Sequence, residues 1–158
     1  MRMLTAAFVY FVLAACTQAQ PGPADVVRTI YEEAEARVSR NQVTGETDLP
    51  LTEDFARTLA QASEAAQRRD EPFIDGDLAL DCQECTGLGG LSIATTTPPA
   101  NGRAVVEARF RIAERDRVVI WDMKETPEGW RVDNIRGPND HNLRAAAQDE
   151  LRPQSAGP

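Results

Sequence analysis

Apolar residues recur at helical spacing early in the chain. From Ala24 to about Arg40, Val27, Ile30, Tyr31, Ala34 and Val38 recur at three- and four-residue steps, with Glu32, Glu33, Glu35 and Arg37 opposite. This predicts an amphipathic helix. Asn41 to Pro50, with Gly45 inside it, predicts a loop. Thr52 then offers an N-cap, and Glu53 and Asp54 suit the positive end of a second helix. Phe55, Leu59, Ala62 and Ala66 form the stripe of that helix, with Arg68-Arg69 at its C-terminal end. From Phe73 the period changes to an extended one. Leu88 to Thr97 predicts a strand, and Pro98-Pro99-Ala100-Asn101-Gly102 a turn. Arg103 to Ala113 alternates, with Val106, Ala108, Phe110 and Ile112 on one face and Glu107, Arg109 and Arg111 on the other. Glu114-Arg115-Asp116 connects it to a strand from Val118 to Thr126, in which Val119, Trp121 and Met123 share a face. Pro127-Glu128-Gly129 predicts a hairpin turn and Trp130 to Ile135 the last strand. A short helix is expected from near Asn139 or Asp140 to about Leu151.

Helices followed by an antiparallel meander predict an α+β fold: two N-terminal helices packed on a curved antiparallel sheet of about four strands. Of Tyr31, Phe55, Phe73, Phe110, Trp121 and Trp130, all but Phe73 fall on predicted apolar faces, so core packing accounts for most of them.

The first residues concern address rather than fold. Met1-Arg2-Met3 is a positive start, and Leu4 to Leu13 is an uncharged apolar run. As a helix that run rises about 15 Å, roughly half the hydrocarbon core, so it reads as a secretory signal and not as a span. Leu13-Ala14-Ala15-Cys16 resembles the lipobox of bacterial lipoproteins, which implies residues 1–15 as signal peptide and acylation of Cys16. One acyl chain anchors only marginally, and what the lipoprotein resemblance implies is a multiply acylated Cys16. Thr17, rather than Asp, fits outer-membrane sorting by analogy with enteric bacteria. The rival reading is an ordinary signal peptide cut after Thr17-Gln18-Ala19. Residues 16–23, with Pro21-Gly22-Pro23, read as a tether, residues 24–151 as one domain, and residues 152–158 as a disordered tail.

The 158 residues carry a formal net charge of −8, and loss of Arg2 with the signal takes it one unit lower. Such acidity disfavours nucleic acid and anionic lipid surfaces as partners. Lys124 is the only lysine. With Cys16 lipidated, Cys82 and Cys85 remain as a pair in an oxidising compartment. A structural disulfide is the preferred reading, worth about 2 kcal/mol for so short a loop. A redox dithiol needs a lowered thiol pKa, which Asp81 and Glu84 oppose. A zinc site would lack its second pair of ligands, and no metal or cofactor is expected.

Asp75 and Asp77 are the foremost candidate carboxylates. At alternate strand positions they would share a face, and proximity would raise one pKa. The competing reading is a turn in which Gly76 supplies backbone freedom and the aspartates cap local N–H groups. His141 suits a general base by its pKa, but it follows Pro138-Asn139-Asp140 and reads as an exposed helix entry. No G-x-S-x-G surrounds any serine, and Gly87-Leu88-Gly89-Gly90 lacks the lysine of a P-loop. Arg109 and Arg111 beside Glu107 read as a charge-laced surface.

Three stretches carry a family resemblance: Val26 to Tyr31, Ile74-Asp75-Gly76-Asp77, and Gly129-Trp130-Arg131-Val132-Asp133-Asn134-Ile135. With the order of elements, they make the chain similar to the NTF2-like (cystatin-like), cone-shaped α+β domains. More narrowly, the chain resembles the DUF3828 group of exported bacterial proteins, many of them lipoproteins. The resemblance covers residues 24 to 137 in outline and supplies no catalytic residues. Where the family pattern has a proline and a Gln-Asp pair, this chain has Leu78 and the Cys82/Cys85 segment.

The preferred function is a periplasmic, membrane-anchored envelope lipoprotein that binds a small ligand or an envelope protein without catalysis. Asp75, Asp77, Trp121, Trp130 and Asp133 are the candidate ligand-binding residues. One alternative is an NTF2-like lyase or isomerase, which requires a pocket where one of those aspartates converges with Trp121 or Trp130. Another is an acidic inhibitor or immunity protein against a basic envelope-targeting enzyme.

Overall fold

The computed structural model describes residues 20–40, 48–83, 85–137 and 141–152. The signal, Cys16, Gly45 and Pro153 onward lie outside these residues. Helix α1 (Pro23–Ser39) begins one residue before the expected start, with Pro23 in the first turn, where its missing N–H costs nothing. The Asp25 carboxylate accepts from the Gly22 N–H at 2.9 Å. Helix α2 (Glu53–Gln67) starts where expected, because the Thr52 hydroxyl accepts from the Phe55 N–H.

Strands β1 (Gly89–Ala100), β2 (Arg103–Ile112), β3 (Arg115–Thr126) and β4 (Gly129–Arg136) pair antiparallel in chain order, with helix α3 (Leu143–Glu150) after them. Among the described residues nothing pairs β1 with β4, so the sheet is open and is not closed into a cone.

The structure corrects four expectations. Pro98 and Pro99 belong to β1, not to the turn. They are tolerated because β1 is an edge strand whose register with β2 shifts on both sides of Thr97. The turn shrinks to Asn101-Gly102, both left-handed, as a two-residue hairpin requires. The Glu114-Arg115-Asp116 connector is likewise shorter. Ile112 pairs with Arg115, and Ala113 and Glu114 make the turn with φ of 46° and 61°, an uncommon conformation for such side chains. The Phe73–Asp77 stretch is not a strand; it makes only an isolated bridge, Asp77 with Cys82. Finally, α3 starts later than expected, at Leu143, because the Asn142 side chain accepts from the Ala145 N–H as its N-cap.

The helices cover one sheet face. Val27, Ile30, Tyr31 and Ala34 of α1 and Phe55 and Leu59 of α2 bury against Val106, Phe110, Trp121, Met123 and Val132. Burying a side chain of this kind stabilises by about 1.5–3 kcal/mol. The Tyr31 ring lies 5.2 Å from Phe110 and, edge-on, 6.1 Å from Trp121. Its hydroxyl donates to the Ala79 carbonyl at 2.9 Å. Burial pushes the phenol pKa well up, against a smaller opposing effect of the Trp121 indole. The indole N–H nonetheless forms no hydrogen bond of normal geometry among the described residues.

The raised phenol pKa has a consequence at high pH. The neutral phenol's contribution is intact below its ordinary pKa of about 10 and is lost as pH rises beyond that, when the unfolded chain ionises first. Urea unfolding at stepped pH should show stability falling by up to about 1.4 kcal/mol per unit above pH ~10. Tyr31→Phe should remove that slope.

Candidate functional site

The stretch between α2 and β1 is irregular, and its position follows from a few contacts. Gly76 has φ of +129°, and its backbone lies against the Cys82 carbonyl. Asp77 organises the turn that follows. One carboxylate oxygen accepts from the Ala79 and Leu80 N–H groups at 2.8 and 3.0 Å, and the other from Arg37 of α1 at 2.6 Å. The Asp77 N–H donates to the Cys82 carbonyl at 2.8 Å. Cys82 and Cys85 form the expected disulfide, with Cα atoms 5.7 Å apart. Ala79 and Leu80 are fully buried, which presses the turn onto the core.

Between this segment, the β3–β4 pair and the start of α3 lies a half-open cavity of about 280 Å³. Its wall is apolar, with Phe73, Ile74, Leu78, Val119, Ile135 and Leu143. Asp75, Asp81, Gln83, Arg136 and His141 supply its polar groups. Gln83 donates to Asp75 at 2.5 Å. Arg136 donates twice to Asp122, at 2.7 and 2.9 Å, and this raises the guanidinium pKa further. Asp81 faces Arg117 at 3.6 Å.

A second cavity, of about 430 Å³, lies on the other side of the same segment. Leu49, Leu51, Leu59 and Ala60 line it, with Asp48 and Ser63 as its polar groups outside the segment. Ile74, Gly76 and Leu78 line both cavities and so form the partition between them.

The five candidate residues are not brought together. Asp75 and Asp77 line the first cavity, but the Asp77 carboxylate is committed to Arg37 and two amides. This is the capping turn that was the alternative reading of Asp75-Gly76-Asp77. Trp121 is wholly buried in the core, and Trp130 is buried opposite Glu125 near the β3–β4 turn. Neither lines the cavity. Asp133 is the extra residue of a β-bulge, since Asn134 pairs with Asp122 and Val132 with Met123. Its carboxylate accepts from Thr52, Arg144 and Arg103, at 2.9, 2.9 and 3.2 Å. Arg109 and Arg111 pair with Glu107 and Asp116 on the exposed sheet face.

Phe73, Gln83 and Arg136 escaped the reading of the site from spacing, whereas His141, weighed as a base, reads as an exposed helix entry; it is exposed and also lines the cavity. Phe73 carried the one available signal, as the aromatic residue outside every predicted apolar face. Among the described residues no three His, Cys, Asp or Glu side chains are grouped as a metal site, and no helix is long and apolar enough to cross a membrane.

No family model matches the chain, and no curated protein matches it. Among solved structures it is similar to a phospholipid-binding protein from Ralstonia solanacearum in complex with a phospholipid. That likeness has a TM-score of 0.42 and 10% identity, over 79% of this chain and 70% of the other, and it carries no argument about ligand. The chain is a small α+β domain: two N-terminal helices packed on an open, four-stranded antiparallel sheet.

Proposed function

We propose that this chain is a DUF3828-like envelope lipoprotein, held to a membrane (the outer one favoured) through acylated Cys16, whose domain binds a small ligand without transforming it. The observation that supports binding is the cavity between the Phe73–Gln83 segment and the β3–β4 pair. An apolar wall with a few convergent polar groups is the usual anatomy of a ligand site, and its volume lies near the lower end of such sites. Catalysis by paired carboxylates has no support here, because Asp77 is occupied by Arg37 and the backbone. An aspartate does not meet Trp121 or Trp130 there, as the lyase or isomerase reading required.

The test is native mass spectrometry of the chain extracted with mild detergent from its own membranes. The expected spectrum shows acylated Cys16 and a co-purifying small mass, which Phe73→Ala releases. An unacylated chain beginning after Ala19 would overturn the anchor. A chain without bound mass, unmoved in melting temperature by a panel of small amphipathic compounds, would overturn the binding reading.

A further inference from the structure

Charge is unevenly shared between the two layers of the domain. α1 carries four carboxylates against two arginines, and α2 three against one. The sheet face turned away from the helices has the opposite balance. Alternation along β2, β3 and β4 puts Arg103, Lys124 and Arg131 on that face. The register sets them side by side, Arg103 opposite Lys124 and Lys124 opposite Arg131. Adjacent strands lie about 4.8 Å apart, and like charges directly opposite one another destabilise a sheet. Sheet stability therefore does not account for this row.

The neighbouring carboxylates do not neutralise it. Glu107, Asp116 and Asp122 each have an arginine of their own, Arg109, Arg111 and Arg136. Arg103 reaches Asp133 at 3.2 Å, but Arg144 holds the same carboxylate. Lys124 and Arg131 form no ion pair among the described residues. Asp54 is held down mainly by its hydrogen bond to Arg144, with Lys124 the smallest of the causes. Val105, Val118 and Ile120, all half-buried, give the face an apolar middle.

The overall acidity of the chain does not describe this face. A helix is about 10 Å across, so carboxylates on its outer side stand beyond the Debye length of about 8 Å at physiological salt. An anionic surface that meets the sheet feels the cation row and little of the helices. Magnitude then selects the partner. Each Lys or Arg near an anionic bilayer favours contact by about fivefold, so three give about a hundredfold. That is too little to hold a free partner, but enough to orient a domain that a tether already keeps at the surface.

Resting on the anchored reading above, we propose that the open sheet face docks on the anionic phospholipid surface of the membrane that holds the chain. Arg103, Lys124 and Arg131 meet the phosphates, and the acidic helices point away from the bilayer.

Lys124 is the only lysine of the chain, which makes amine acetylation a direct readout of this face. An Arg57→Lys variant adds a reference amine on the exposed side of α2. The natively acylated variant is reconstituted into vesicles of phosphatidylcholine alone or of phosphatidylcholine and phosphatidylglycerol at about 7:3, and treated with acetic anhydride. Mass spectrometry then gives the ratio of acetylation at the two lysines. On the anionic vesicles, at about 0.05 M salt, that ratio should fall more than about tenfold below its value on the neutral ones, and it should recover at about 0.5 M. Arg131→Gln should give back about fivefold of the shielding. Equal ratios on the two vesicles, with Cys16 acylated, overturn this inference alone. Shielding that persists at high salt overturns the role of the cations. Shielding by soluble polyglutamate but not by anionic vesicles assigns the face to an acidic protein and overturns the membrane as its partner. A chain without acyl groups overturns the anchor and this inference together.

Discussion

Gly76→Ala should lower the unfolding free energy by about 3 kcal/mol, read from urea unfolding as a shift in midpoint at constant slope. Two costs add. At φ of +129° an L side chain is strained wherever the space around it lies. A Cβ there would also stand 2.8 Å from the Cys82 carbonyl oxygen and 3.1 Å from its carbon. That carbonyl has little freedom to retreat, because it accepts the Asp77 N–H and its residue is in the disulfide. The control is Gly87→Ala. Gly87 also has positive φ, +70°, but open space around its Cβ position, so only the left-handed conformation is charged, at about 1 kcal/mol. Equal losses at the two sites would show that the approach of Gly76 to Cys82 is not a constraint.

Asp133→Ala should destabilise by about 2–3 kcal/mol, the second large effect. The carboxylate is 15% exposed and its partner Arg144 21%, sheltered enough that removing one leaves the other poorly solvated. Arg144 also donates from Nε to the Asp133 carbonyl at 2.9 Å and stacks 4.9 Å above the Phe55 ring. Thr52 donates to the same carboxylate, so the N-cap of α2, the bulge of β4 and the start of α3 meet at one group. Asp54 makes the instructive contrast. It too binds Arg144, at 2.7 Å, and that hydrogen bond holds its carboxyl below the usual range. Asp54 is exposed, however, and Asp54→Ala should fall well short of Asp133→Ala. Whatever Asp54 contributes is present above the ordinary carboxylate pKa and lost as the solution is acidified through its lowered value. Denaturant unfolding of Asp133→Ala, Arg144→Met and the double variant gives the coupling directly, and additive losses would dissolve the hub.

Elements whose periodicity is set by burial were readable in advance. α1, α2 and β2 keep their period throughout, because one face of each meets the core. The disulfide was readable from two closely spaced cysteines downstream of a segment that resembles an export signal. The bulge at Asp133 was not. It puts Trp130, Val132 and Ile135 all against the core, a change of parity that depends on β3 and on Arg144 rather than on local sequence. The prolines of β1 and the Ala113-Glu114 turn failed as signals for a similar reason: both are tolerated through their place in the sheet. The cavity was the least legible feature. Phe73 and His141 are distant in sequence and line one cavity in the fold, where the buried Ala79-Leu80 pair holds the Phe73–Gln83 segment on the core.

The two margins of the sheet are managed differently, and this bears on how copies of the chain meet one another. β4 is screened along part of its length: the chain at Pro50–Thr52 exchanges backbone hydrogen bonds with Val132, and Asn142 bridges Arg136. β1 has no such screen among the described residues. Instead it carries Pro98 and Pro99 and three interruptions of register. Two prolines withhold two N–H donors, and an irregular strand offers no long, flat template for another chain. Two copies that met along β1 would find no continuous ladder to extend, so the proline pair opposes strand-by-strand polymerisation.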